Sequence, residues 1–66
     1  MKIFEERLKC KREENGLSKK QMADLLGISR SAYARYENGG QPRFEVVCRI
    51  AKVLNIRLNY LFGLED

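Results

Sequence analysis

Histidine and tryptophan are absent from this sequence, proline occurs once, and cysteine occurs only at Cys10 and Cys48. With no histidine and no Cys-x-x-Cys pair, the usual ligand set of a zinc site is missing, and two thiols are too few for a disulfide framework. Both cysteines are expected to be buried, reduced and apolar, as suits a cytoplasmic protein. No residue pair reads as a nucleophile beside its base, so an enzyme is not expected, nor is a metal, cofactor or small-molecule ligand. The longest unbroken apolar runs are three residues, such as Val46–Cys48, which leaves neither a membrane span nor the core of a signal peptide. No stretch alternates apolar and polar residues over the length of a strand, and no linker, repeat or low-complexity tract interrupts the chain.

What the sequence does have is charge and helical periodicity. Its 66 residues make one domain, residues 1–66. A domain this small buries only ~60% of its unfolded surface and has no room for a deep substrate pocket besides its core. The net charge is +4. Residues 1–14 hold five basic and four acidic side chains, residues 44–66 three of each, and residues 15–43 five basic against two acidic, Asp24 and Glu37. Most of the excess therefore lies in the middle of the chain, where a polyanion would dock.

Five helices are predicted. The first covers about residues 3–14, with Phe4 and Leu8 on one face and Asn15-Gly16 as its stop. The second covers 19–26, opened by a capping box between Ser18 and Gln21 and closed by Gly27, which takes a left-handed conformation cheaply. Ile28 bridges to a third helix over 30–38, capped by Ser29. A fourth spans 44–54, with Val47, Ile50, Ala51 and Leu54 at helical spacing, and a fifth spans 58–62 before Gly63.

Lys19 to Asn38 is the informative stretch. Two short helices meet at Gly27, and Ala23 is small enough for them to cross closely. Tyr33 and Tyr36, three apart, anchor the third helix on the core. Arg30, Ser31, Ala34, Arg35 and Asn38 then point outward, a face with two arginines and no acid. Such a face suits the major groove, where arginine pairs with guanine O6 and N7 and small residues allow close approach to thymine methyl groups.

The run GLSKKQMADLLGISRSAYARYENG resembles the Cro/repressor (XRE-type) helix-turn-helix family. The likeness extends from Phe4-Glu5-Glu6-Arg7-Leu8 through Arg12 to Leu58-Asn59-Tyr60-Leu61-Phe62-Gly63. It implies an all-α, compact five-helix lambda-repressor-like domain and a transcriptional regulator of a prokaryote or phage, cytoplasmic and associated with the nucleoid. It further implies that Arg30, Ser31, Ala34 and Arg35 contact bases. Ser18, Lys19, Lys20, Ser29, Asn38 and the amides of Gly39 and Gly40 then hold the DNA backbone, and Arg43 reaches phosphate or the minor groove. Arg12 and Glu37 match a pair that the family buries as a salt bridge. Three features depart from its pattern. Lys11 stands where an apolar residue is expected, the loop from Gly39 to Pro42 is short, and Arg43 and Arg57 replace the usual capping residues of helices four and five.

The helix-five region carries Ile56, Leu58, Tyr60, Leu61, Phe62 and Leu64, more apolar residues than one face of a short helix can bury. Leu58, Tyr60, Leu61, Phe62 and Leu64 are expected to pair two copies on an inverted-repeat operator in double-stranded DNA. No effector domain is expected after Asp66, and control by abundance is the expectation; if the chain is the DNA-binding half of a longer regulator, that expectation fails. The alternative is an interaction module, such as an antitoxin or bridging factor, that uses the same fold to hold another protein. A basic RNA-binding fragment is disfavoured, because the aromatic residues fall on helical core spacing.

Overall fold

The computed structural model describes residues 2–66. Its helices are α1 (Lys2–Glu14), α2 (Lys19–Leu26), α3 (Arg30–Glu37), α4 (Phe44–Leu54) and α5 (Leu58–Leu61), with no strand among the described residues. The expected boundaries hold to within one residue, the level at which fraying ends are defined. Both α3 and α5 stop one residue early.

Local chemistry fixes the ends. Ser18 Oγ accepts from the Gln21 amide at 3.0 Å, and Gln21 Oε1 accepts from the Ser18 amide at 2.8 Å, completing the capping box of α2. Gly27 closes α2 at φ 71°, a left-handed conformation that most side chains with a Cβ adopt only with strain. Asn55 closes α4 in the same conformation at φ 55°. Arg43 and Arg57 precede α4 and α5 without a side-chain cap bond, so those two starts rest on packing.

The core draws on all five helices: Phe4 and Leu8 from α1, Met22, Ala23 and Leu26 from α2, Tyr33 from α3, Val47, Ile50 and Leu54 from α4, and Leu61 from α5. The α2–α3 pair lies against α1 on one side and α4 on the other, while α5 closes the opposite end against α1 and α4.

Two expectations are corrected. Cys10 is exposed and Cys48 only half-buried, because Cys10 lies on the outer face of α1. The Cys10 thiol donates to Glu14 Oε2 at 3.2 Å, and this contact holds its pKa above the ordinary thiol value. The second correction concerns the helix-five residues. Leu61 is fully buried, Leu58 and Phe62 pack partly against the core, and the Phe62 ring stacks on Phe4 at 5.5 Å. Tyr60 is covered by Arg7, whose guanidinium carbon lies 4.3 Å from the ring centroid. Of the five residues assigned to pairing, only Leu64 is exposed.

The Arg7 contacts had no signature in the sequence. Its guanidinium donates to the carbonyls of Tyr60 and Glu65, both at 2.6 Å, and so ties α1 to α5 and to the chain after it. Lys11 packs its stem and reaches outward, with Nζ 3.0 Å from Glu14 Oε1 and 5.2 Å from the Tyr60 ring centroid.

Candidate nucleic-acid interface

The orientation of α3 is set by a buried polar cluster. Arg12 Nε donates to Glu37 Oε2 at 2.7 Å, with the two side chains 8% and 3% exposed. Arg12 Nη1 donates to the Leu17 carbonyl at 2.8 Å, and the Leu17 amide donates back to the Arg12 carbonyl at 3.2 Å. The Tyr33 hydroxyl donates to the same Glu37 oxygen. One arginine thus joins the end of α1, the approach to α2 and the last turn of α3. The Arg12–Glu37 pairing was implied by the family resemblance. The Tyr33 bond was legible as an i, i+4 spacing, whereas the Leu17 contact was not legible at all.

Burial, and then the bond to Glu37, push the Tyr33 phenol well above its ordinary pKa of 10.0. The sign follows from linkage. The folded value lies above the unfolded one, so the neutral phenol contributes fully below the unfolded pKa, and the contribution is lost as the pH climbs past it. Thermal unfolding followed by circular dichroism should show the wild type losing stability faster than Tyr33→Phe from ~pH 10 upward. Parallel losses would show that the phenol is not the titrating group.

With Tyr33 buried and Tyr36 half-buried, Arg30, Ser31, Arg35 and Asn38 of the α3 segment are exposed and Ala34 is partly so. Arg35 and Arg43 share the walls of an open notch of about 310 Å³ with Tyr36, Gly40, Gln41 and Val46. Arg43 therefore stands beside the C-terminal half of α3, a placement the sequence left open.

Ser18 and Ser29 sit at the N-termini of α2 and α3. Each Oγ already accepts a backbone amide, Ser29 from Ala32 at 3.1 Å, and each hydroxyl hydrogen can still be donated. Lys19 is half-buried, while Lys20 is exposed and pairs with Asp24 at 3.2 Å, an exposed i, i+4 contact worth little to stability. The Asn38 side-chain amide donates to the Ala34 carbonyl at 2.9 Å and finishes α3.

The Gly40 amide, expected to meet a phosphate, is committed elsewhere: it donates to the Arg35 carbonyl at 2.7 Å. An added Cβ at Gly40 would lie 2.9 Å from that oxygen, so the loop turns back on α3 only because residue 40 is glycine. Gly39, at φ 104°, remains exposed. A further contact absent from the sequence reading is Arg49, which donates to the Leu26 carbonyl at 3.2 Å and braces the end of α2 from α4.

Among the described residues, no group of three His, Cys, Asp or Glu side chains could hold a metal ion, and no helix is long and apolar enough to cross a membrane.

Two short helices joined at a left-handed glycine, the second showing an acid-free outer face with two arginines, define a helix-turn-helix domain. The chain belongs to the helix-turn-helix family, whose profile matches residues 8–61. It is 40% identical over 60 residues to the HTH-type transcriptional regulator YqaE of Bacillus subtilis, covering 89% of this chain and 52% of that protein. It is 37% identical over 60 residues to the SPbeta prophage-derived regulator YonR of the same organism, covering 89% of this chain and 56% of the other. It is 42% identical over 64 residues to the cryptic phage CTXphi transcriptional repressor RstR of Vibrio cholerae, covering 96% of this chain and 56% of the other. The chain spans about half the length of these curated relatives. No solved structure matches it significantly.

Proposed function

We propose that residues 1–66 form the DNA-binding domain of a cytoplasmic, nucleoid-associated transcriptional regulator, acting as a repressor or controller protein. It lays α3 in the major groove of an inverted-repeat operator and binds there as a homodimer. The observation that carries this reading is the exposed, acid-free face of α3, held in a fixed orientation by the buried Arg12–Glu37 pair. The names of its relatives, transcriptional regulators and a phage repressor among them, support it.

Arg30, at the N-terminal end of α3, reads a base edge bidentately, with Ser31, Ala34 and Arg35 completing the contact. Ser18, Lys19, Lys20, Ser29, Asn38, the Gly39 amide and Arg43 hold the phosphates that frame it. One α3 reads too few base pairs to select a site from a genome, so two copies are required. The protein measures 29 × 22 × 19 Å, so two copies fit side by side with their recognition helices one DNA turn, ~34 Å, apart. Half-site centres then lie ~10 bp apart.

Selection of bound duplexes from a random pool tests DNA binding and reads the operator together. Arg30→Ala should cost ~1–3 kcal/mol and relax preference at one base position, whereas Lys19→Ala should weaken all sequences alike. Log K against log[salt] should fall by ~0.9 per phosphate neutralised. A salt-independent interaction would contradict the phosphate contacts, and selected sequences unchanged in both Arg30→Ala and Arg35→Ala would contradict direct readout.

A further inference from the structure

We propose that two copies lock together through Phe44: the ring of each enters an apolar groove lined by Phe4, Gly40, Gln41, Pro42, Val47 and Phe62 of the other. The inference rests on the dimeric reading above and names the surface that reading needs, because the structure has buried Leu61 and covered Tyr60 with Arg7, while Phe62, partly packed, stays on the proposed surface.

Phe44 opens α4 and is 69% exposed, whereas Val47, Ile50, Ala51 and Leu54 of that helix face the core and Val46, Cys48 and Val53 are half-buried. Beside it lies a groove of about 250 Å³ whose lining residues carry no charge. Apolar cavities of ~150 Å³ already accept benzene, whereas small-molecule sites run from ~300 Å³ upward. The groove therefore has room for one ring.

Ring and groove are neighbours on one surface, since Val47 is one turn from Phe44 and Pro42 two residues before it. In a closed pair, a knob beside a matching hole is satisfied on both sides about a two-fold axis, where each copy fills the other. Two rings and the walls they cover bury roughly 600–1,000 Å², at or below the lower end of specific interfaces. Each copy also carries a net charge of +4, which opposes pairing in free solution. The dimer is accordingly weak alone and completed on DNA, whose phosphates neutralise that charge.

Pairing through this surface places the loop after α3 near the axis. Arg35 and Arg43 then face the centre of the operator and Arg30 its outer positions.

The test uses sedimentation equilibrium at high protein concentration, together with titration of a full inverted repeat and of a single half-site. The wild type should dimerise and bind the full site cooperatively. Phe44→Ala should be monomeric and lose cooperativity while keeping its melting temperature and its half-site affinity. In a Cys10→Ser, Cys48→Ser background, a Phe44→Cys chain mixed with a Gln41→Cys chain should form a mixed disulfide dimer. A wild-type dimer that persists in Phe44→Ala would overturn the surface and leave the dimer reading standing. A strictly monomeric wild type without cooperativity would remove both. Lower half-site affinity in Phe44→Ala would assign the ring to DNA, also against the proposal.

Discussion

Replacing Glu37 with alanine is expected to cost ~3–5 kcal/mol, close to the whole stability of a domain this small. The carboxylate accepts from Arg12 Nε at 2.7 Å and from the Tyr33 hydroxyl, and its side chain is only 3% exposed. Removing it strands the Arg12 guanidinium, 8% exposed, with only the Leu17 carbonyl and a 3.9 Å contact to Glu13. The penalty comes from the buried unpaired charge rather than from the worth of the bond. Glu37→Gln, which still offers an oxygen to its neighbours, should therefore lose less. A joint change of Arg12→Met, Glu37→Leu and Tyr33→Phe should recover much of the loss, since apolar groups of similar volume require no partner. Chemical denaturation of the series checks the ordering. A Glu37→Ala loss under ~1 kcal/mol would show that the pair behaves as an exposed one.

The second large effect separates two leucines three residues apart. Leu61→Glu should abolish folding, because Leu61 is 0% exposed and a carboxylate there has no partner. Leu64→Glu, at a position 75% exposed, should leave the melting temperature nearly unchanged. Circular dichroism melts of the two variants make the comparison. A folded Leu61→Glu chain would mean that α5 can leave the core without loss. The contrast also decides how a dimerisation mutant is chosen. A charge at Leu61 would remove pairing by unfolding the protein, whereas Phe44→Ala removes an exposed ring.

The sequence by itself determined the helices, the turn and the outward face of α3. These follow from local rules: the Ser18–Gln21 box, the glycine at position 27, and the spacing of Tyr33 and Tyr36, which turns Arg30 and Arg35 outward. Each involves residues within a few positions of one another, so the chain carries the signal along its length. Only the tertiary structure decided which of the surplus apolar residues face solvent. Composition showed too many around α5 for one helix face, and it was the stacking of Phe62 on Phe4 and the cover of Arg7 over Tyr60 that resolved the excess. Those contacts join residues more than fifty positions apart, and periodicity has no access to them. The same holds for Gly40, whose amide the family resemblance implied as a phosphate ligand and which is taken by the Arg35 carbonyl once the loop folds back. A backbone donor in a short loop is available or committed according to where the neighbouring helix ends in space, and that is a property of the packed chain.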